Sequence, residues 1–102
     1  MTIVFEYLYR DAGNFKNYGD AQFRNDTALP LDQIDERIRE ALIDGMYFSA
    51  EKLGLPTLYF DVSNEELDHE WHEFDCVREV DDGANLPKLD IVEAIERLAA
   101  ST

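Results

Sequence analysis

The residues of this sequence with the clearest chemical character are carboxylates gathered in one segment. Residues 61–82 hold ten acidic side chains and a single basic one, Arg78, and so carry nine of the fourteen net negative charges. A surface with this density of charge speeds the encounter with basic surfaces. We predict that the segment forms a docking face for a basic protein partner. The predicted contact residues are Asp61, Glu65, Glu66, Asp68, Glu70, Trp71 and Glu73, with Tyr18 from another strand.

Several kinds of protein use an acidic face in this way. An inhibitor, an antitoxin or immunity protein, and a nucleic-acid mimic would each present it to a basic partner. The competing interpretation is a solvated surface without a partner, which is the usual role of a run of charges. Tyr18 is included because it belongs to a polar segment, where an exposed ring with a hydroxyl group is typical of interfaces.

A second group of residues, with metal-binding chemistry, lies inside the same segment. His69, His72 and Cys76 are residue types that zinc binds, and carboxylates surround them. In an extended chain His69 and His72 point to opposite sides, since their separation is odd. His72 and Cys76 are expected to share one side of a strand, but four residues of strand span roughly 13 Å, too far for one ion. We therefore predict no metal site, and keep a metal-binding protein or small hydrolase centred on the two histidines as the alternative.

The motifs of the common catalytic mechanisms are absent from the sequence. The five glycines are isolated, so there is no glycine-rich phosphate loop, and no serine lies in a nucleophile-elbow motif. The acids beside Cys76 are expected to raise its pKa and make it a poor nucleophile. The sequence therefore predicts a protein that is not an enzyme and uses no cofactor.

The charge balance and the apolar pattern exclude several kinds of partner. Nine basic residues against 23 acidic ones leave no cluster of Lys and Arg for phosphates, so we expect no direct binding of nucleic acid. No apolar run approaches the roughly 18 residues of a membrane span, so we expect no membrane partner. Cys76 is the only cysteine, which excludes an intramolecular disulfide. With no signal-peptide pattern at the start, these features predict a cytoplasmic protein.

The elements that must position these residues begin with a predicted hairpin. Thr2–Arg10 alternates with the period of a strand, giving one apolar and one mixed face. Residues 11–14 tolerate the positive φ of a turn, and residues 17–25 return as a more polar strand. The weak apolar pattern of that second strand predicts a position at the edge of the sheet. Pairing of this edge with a second copy of the chain would give a homodimer, which is a further hypothesis.

Helices and strands follow in the rest of the chain. An apolar stripe with helical spacing indicates a first helix, formed by Leu31, Ile34, Ile38 and Leu42. Acidic residues in its first turns suit the helix dipole, and Gly45 follows as a stop. A short helical turn with a serine cap and a glycine stop is predicted at residues 49–54. Residues 57–62 and 71–80 are predicted strands, the second with regular alternation throughout.

The final helix and the order of the elements complete the prediction. Asp90 and Glu93 have the spacing of a capping box, with Asp in place of Ser or Thr. The predicted order is ββα(α)ββα. Because each main helix has one apolar stripe to bury, both are expected to pack against the same sheet. The predicted fold is one α+β domain over residues 1–102, a two-layer structure with a mostly antiparallel four-stranded sheet and two main helices on one face.

Three segments of the sequence carry a resemblance to known proteins. They are YLYRDAGNFK at residues 7–16, ALIDG at residues 41–45 and LDHEWHEF at residues 67–74. Together they resemble a family of small, acidic, uncharacterised bacterial proteins over most of the chain. The resemblance implies a stand-alone bacterial domain and nothing catalytic, and it brings no activity, cofactor or partner with it.

Overall fold

The computed structural model describes residues 1–11, 13–58 and 71–101. The fold is α+β, with a four-stranded antiparallel sheet curled into a half-barrel and three helices, which confirms the predicted fold class. The strands are β1 (Thr2–Arg10), β2 (Lys16–Arg24), β3 (Tyr47–Phe48) and β4 (His72–Val80). The helices are α1 (Leu31–Ala41), α2 (Ala50–Leu53) and α3 (Ile91–Ser101).

The strands are arranged in the order β2-β1-β4-β3, with β1 in the interior of the sheet. β1 and β2 pair antiparallel from Thr2 opposite Arg24 to Arg10 opposite Lys16. The predicted hairpin is confirmed, with its second strand beginning one residue earlier than expected. β2 lies at one edge of the sheet, as its polar pattern predicts, whereas nearly all of β1 is buried.

The strand on the far side of β4 differs from the prediction. Residues 57–62 are predicted to supply a strand, but the first two lie outside any strand and the other four lie outside the described residues. The fourth strand of the sheet is β3, which pairs with the start of β4. Asp44 and Gly45 both have positive φ and turn the chain after α1 toward β4. A strand of two residues is too short to show a period of two, so the sequence pattern misses it.

A β-bulge interrupts β4. Its pairing with β1 jumps by one residue, because Glu6 lies opposite Cys76 whereas Tyr7 lies opposite Phe74. The extra residue is Asp75. The regular alternation predicted for this strand is therefore wrong beyond the bulge, where each side chain lies on the face opposite to the expected one.

Both main helices pack on one face of the sheet, as predicted. The core between the layers centres on Phe5 of β1, whose ring lies 5.0–6.2 Å from those of Phe23, Phe48 and Phe74. Aromatic pairs at such distances contribute about 0.5–1.5 kcal/mol each beyond the area that they bury. The two main helices close the core with five buried apolar residues, Ile34, Ile38, Ile91, Ala94 and Leu98.

The ends of two helices follow their sequence signals. Ser49 caps α2 by accepting a hydrogen bond from the N–H of Lys52 (3.4 Å), and Gly54 ends it with a φ of 78°. Asp90 caps α3 by accepting a hydrogen bond from the N–H of Val92 (2.9 Å). These caps fix the helix starts where the sequence predicts them.

Candidate functional site

β4 carries most of the described part of the acidic segment, and its two ends have different surroundings. Glu73 and Phe74 pair with β1, and His72 and Glu73 pair with β3. Residues 76–80 pair with β1 alone among the elements of the described chain. We call residues 72–74 the closed end of β4 and residues 76–80 its open end.

His72 is fully buried at the closed end. Its Nε2 accepts a hydrogen bond from the backbone N–H of Leu58 (3.0 Å), so this nitrogen carries no proton. The imidazole lies 5.3–6.1 Å from the rings of Tyr7, Tyr9 and Phe48. The Nε2 lone pair that a metal ion would need is already used, and His72 links β4 to the segment after α2.

The segment after α2 is held against the sheet by further contacts. The hydroxyl of Tyr7 donates to the carbonyl of Pro56 (2.6 Å), and burial raises the pKa of that phenol. The side chain of Asn17 donates to the carbonyl of Leu58 (3.1 Å). A Cβ at Gly19 would lie 2.9 Å from the end of the Leu58 side chain, so a larger residue there would require this side chain to shift. Because residues 59–70 follow directly, the sheet fixes the point from which that acidic part of the chain begins.

Glu73, a predicted contact residue, is 5% exposed at the closed end. Its Oε2 accepts a hydrogen bond from Nε of Arg10 (2.9 Å), and this bond raises the pKa of the guanidinium. The carboxylate is therefore compensated inside the protein by Arg10, while its contact role stays a prediction.

The other predicted contact residues are divided between the described residues and the rest of the chain. Tyr18 lies on β2 and is 61% exposed, which confirms the expected exposure, while its contact role stays a prediction. Trp71 is half-buried just before β4. Five predicted contact residues lie outside the described residues: Asp61, Glu65, Glu66, Asp68 and Glu70. His69 of the alternative metal site also lies outside them.

Cys76, at the open end, is surrounded by charged groups. Its thiol donates a hydrogen bond to Oε2 of Glu6 (2.9 Å), and this bond, followed by burial, raises the pKa of Cys76 to about 11. The same bond and the guanidinium of Arg78 hold the pKa of Glu6 below its ordinary value. The predicted direction for Cys76 is confirmed, and the protonated thiol is a poor nucleophile at neutral pH.

The bulge gives Cys76 a second acidic neighbour. Glu6, Asp75 and Cys76 each bring one atom of a metal-ligand type within 4.8 Å of the others. Two of these groups are already engaged, because the thiol donates to Glu6 and Arg78 pairs with Glu6 at 3.5 Å. Zinc binds thiolates rather than thiols, so the cluster does not offer it a ready donor set. His72 lies on the opposite side of the sheet from Cys76, which corrects the expectation that they share one side.

A groove lies between the open end of β4 and the first half of α1. Its volume is about 500 Å³, and its lining residues are Leu31, Asp32, Asp35, Cys76 and Val77. Neighbouring positions of the same two regions, Pro30 and Glu79, help to line a second hollow of about 230 Å³. Sequence reasoning explains the acids of α1 through the helix dipole and misses their position across a groove from β4. Because the two elements are far apart in the chain, no local signal reveals the groove.

Comparison with known proteins adds no relative to this description. No family model, curated protein or solved structure matches the chain. The resemblance to small acidic bacterial proteins therefore stays a prediction. Within the described residues, no helix is both long enough and apolar enough to cross a membrane.

Proposed function

We propose that the protein is a non-enzymatic interaction protein that docks a basic protein through the acidic surface around the open end of β4. The observation that carries the proposal is the uneven compensation of charge along this part of the chain. Glu73 is compensated by Arg10 at the closed end. Asp75, Glu79 and Asp81 are exposed and form no ion pair with the described residues. We name these three carboxylates the acidic rim.

Among the described residues, no basic side chain forms an ion pair with the acidic rim. Arg78 is the only base of the acidic segment, and it pairs with Glu6. Within the described part of the chain, five basic side chains pair with other acids, namely Arg10, Arg24, Arg39, Arg78 and Arg97. The field of the acidic rim is therefore available to attract a partner.

The partner best suited to this surface is a protein with exposed Lys and Arg. Asp32, exposed across the groove, extends the negative surface beyond β4. Charge pairs between exposed groups contribute more to the rate and specificity of docking than to affinity, and salt screens them. An inhibitor, an antitoxin or immunity protein, or a mimic of nucleic acid would act on its target through this physics.

Binding of a basic probe protein tests the proposal. Lysozyme, a small basic protein, is titrated into the wild-type chain and into two variants at low and high salt. In the rim variant the three carboxylates are neutralised: Asp75→Asn, Glu79→Gln and Asp81→Asn. The control variant loses three charges at exposed acids of other regions: Asp44→Asn, Glu51→Gln and Glu96→Gln.

The two variants have the same net charge, so they separate a located surface from total charge. We expect the control variant to bind about as tightly as the wild type, and the rim variant to bind about tenfold more weakly at low salt. High salt should remove most of the difference. Equal weakening in both variants would mean that only the total charge matters, and the proposal would then be wrong.

A further inference from the structure

We propose that the open end of β4 accepts an extended segment of the basic partner as an added strand of the sheet, with side chains of that segment seated in the groove beside α1. The inference rests on the proposed function for the charge of the partner, and it adds the position and conformation in which the partner binds. An unpaired strand edge is a template for another strand, and main-chain hydrogen bonds then supply much of the affinity.

The backbone of β4 turns hydrogen-bonding groups outward at the open end. Just after the closed end, the carbonyl of Asp75 faces away from β1, and Nη2 of Arg39 lies 3.5 Å from it. Alternate residues of a strand direct their backbone groups to the same side. Val77 and Glu79 therefore direct their N–H and C=O groups to the edge that no strand among the described residues occupies.

The groove provides space for the side chains of an added strand. Its volume of about 500 Å³ lies within the roughly 300–1,000 Å³ of ordinary binding clefts. Val77 and Glu79 share one face of β4, since they lie opposite Phe5 and Ile3 of β1. In an added strand, the two residues opposite Val77 and Glu79 would be two positions apart, and their side chains would lie on the same face of the sheet as those of Val77 and Glu79. An apolar side chain fits against Val77 and Leu31, and a Lys or Arg fits against Glu79.

The charge around the groove favours a basic segment over a second copy of this chain. Asp32 lines the groove and Glu79 shares the face of Val77; both are exposed and have no ion pair among the described residues. Arg39, on α1, already pairs with Asp35 at 3.1 Å. Two copies joined by this edge would bring carboxylates against carboxylates, and like charges directly opposite destabilise paired strands. The fitting occupant is an extended segment in which apolar and basic side chains alternate along one face.

Amide hydrogen exchange of the full chain with a designed peptide tests the strand addition. The probe is the capped peptide KTVTKTVTK, in which Lys and Val alternate along one face of a strand. Two further peptides carry backbone N-methyl groups. In one the Lys and Val amides are methylated, and in the other the Thr amides are. Each peptide therefore loses the N–H donors along one of its two edges only. We expect the unmodified peptide to slow exchange at Val77 and Glu79 by about tenfold or more, and to leave Tyr18 and Asp20 on β2 unchanged.

The three peptides have equal charge, so the outcomes separate strand addition from basic docking. Loss of binding by one methylated peptide and not the other supports strand addition, because only one edge of the peptide meets β4. Equal binding of all three without slowed exchange overturns strand addition and leaves basic docking intact. If no peptide binds but lysozyme still binds at the acidic rim, strand addition alone is overturned. If lysozyme does not bind either, the proposed function is overturned as well. If exchange at Val77 and Glu79 is slowed without peptide, and more so at higher chain concentration, the occupant of the edge is a second copy of the chain. That result overturns the inference.

Discussion

At the closed end of β4 the polar side chains are engaged inside the protein, where His72 accepts a hydrogen bond from Leu58 and Glu73 pairs with Arg10. At the open end, only a few residues along the same strand, Glu79 is an exposed carboxylate beside an edge with which no strand of the described residues pairs. The boundary between the two ends is the bulge at Asp75, two residues beyond the last residue of β4 that pairs with β3. Acidity in the sequence therefore does not by itself locate a docking surface, because neighbouring carboxylates differ in whether the fold compensates them.

The largest effect that distinguishes the two ends is expected from Phe74→Ala. The ring is buried, lies 5.0 Å from that of Phe5 and has the guanidinium of Arg39 4.9 Å from its centroid. Its removal leaves a cavity, so we expect the free energy of unfolding to fall by about 3–5 kcal/mol. The exposed neighbour gives the control, since Asp75→Asn should change that free energy by no more than about 0.5 kcal/mol. Urea unfolding measures both, and similar losses would contradict the contrast between the ends.

The reactivity of the Cys76 thiol probes the compensated cluster at the start of the open end. With its pKa raised to about 11 from an ordinary 9.0, the thiol stays protonated until the pH approaches the higher value. Two pKa units correspond to on the order of 100-fold less thiolate near pH 8 than in the unfolded chain. We therefore expect a disulfide reagent to modify the folded chain far more slowly than the urea-unfolded chain.

A variant identifies the cause of this slow reaction. Glu6→Gln removes the carboxylate that accepts the thiol hydrogen bond, so the rate near pH 8 should rise toward that of the unfolded chain. Asp75→Asn removes a smaller influence on the same pKa and serves as the matched control, with a smaller rise. Equal rates in the folded and unfolded wild type would refute the arrangement of Cys76 and Glu6.

A smaller difference in the free energy of unfolding is expected between variants of two ion pairs, Arg10 with Glu73 and Arg78 with Glu6. Arg10→Met leaves the buried carboxylate of Glu73 without its partner, and we expect a loss of about 1–3 kcal/mol in the free energy of unfolding. Arg78→Met breaks a more exposed pair with Glu6 and should cost no more than about 0.5 kcal/mol. Thermal and urea unfolding compare the two variants. A loss for Arg78→Met as large as that for Arg10→Met would remove the distinction between the ends.

Local patterns in the sequence were sufficient for most of the fold. The period of two in β1, the apolar stripe of α1 and the cap at Asp90 are set by neighbours along the chain, so they could be predicted without tertiary contacts. β3 could not, because its two residues become a strand only through pairing with β4. The bulge at Asp75 likewise depends on the register with β1 and leaves no mark in the composition.

The candidate site was predicted less completely than the fold, for the same reason. The acidic segment identifies a charged region, but the burial of Glu73 follows from its position opposite Leu8 and from the reach of Arg10. The contribution of Asp32 arises from the packing of α1 beside β4, which no local period encodes. Tyr18 was predicted to be exposed from the polarity of its own strand, and that property required no tertiary information.

Mapping of bound lysozyme on the isotopically labelled chain by NMR shows whether the surface around the open end of β4 is the docking surface. At low salt we expect the backbone amide shifts of Asp75, Glu79 and Asp81 to change in proportion to bound lysozyme, together with that of Asp32 across the groove. Residues 72–74 should change much less, and high salt should reverse the changes. Shift changes spread evenly over the exposed acids, or concentrated away from β4 and α1, would contradict the account.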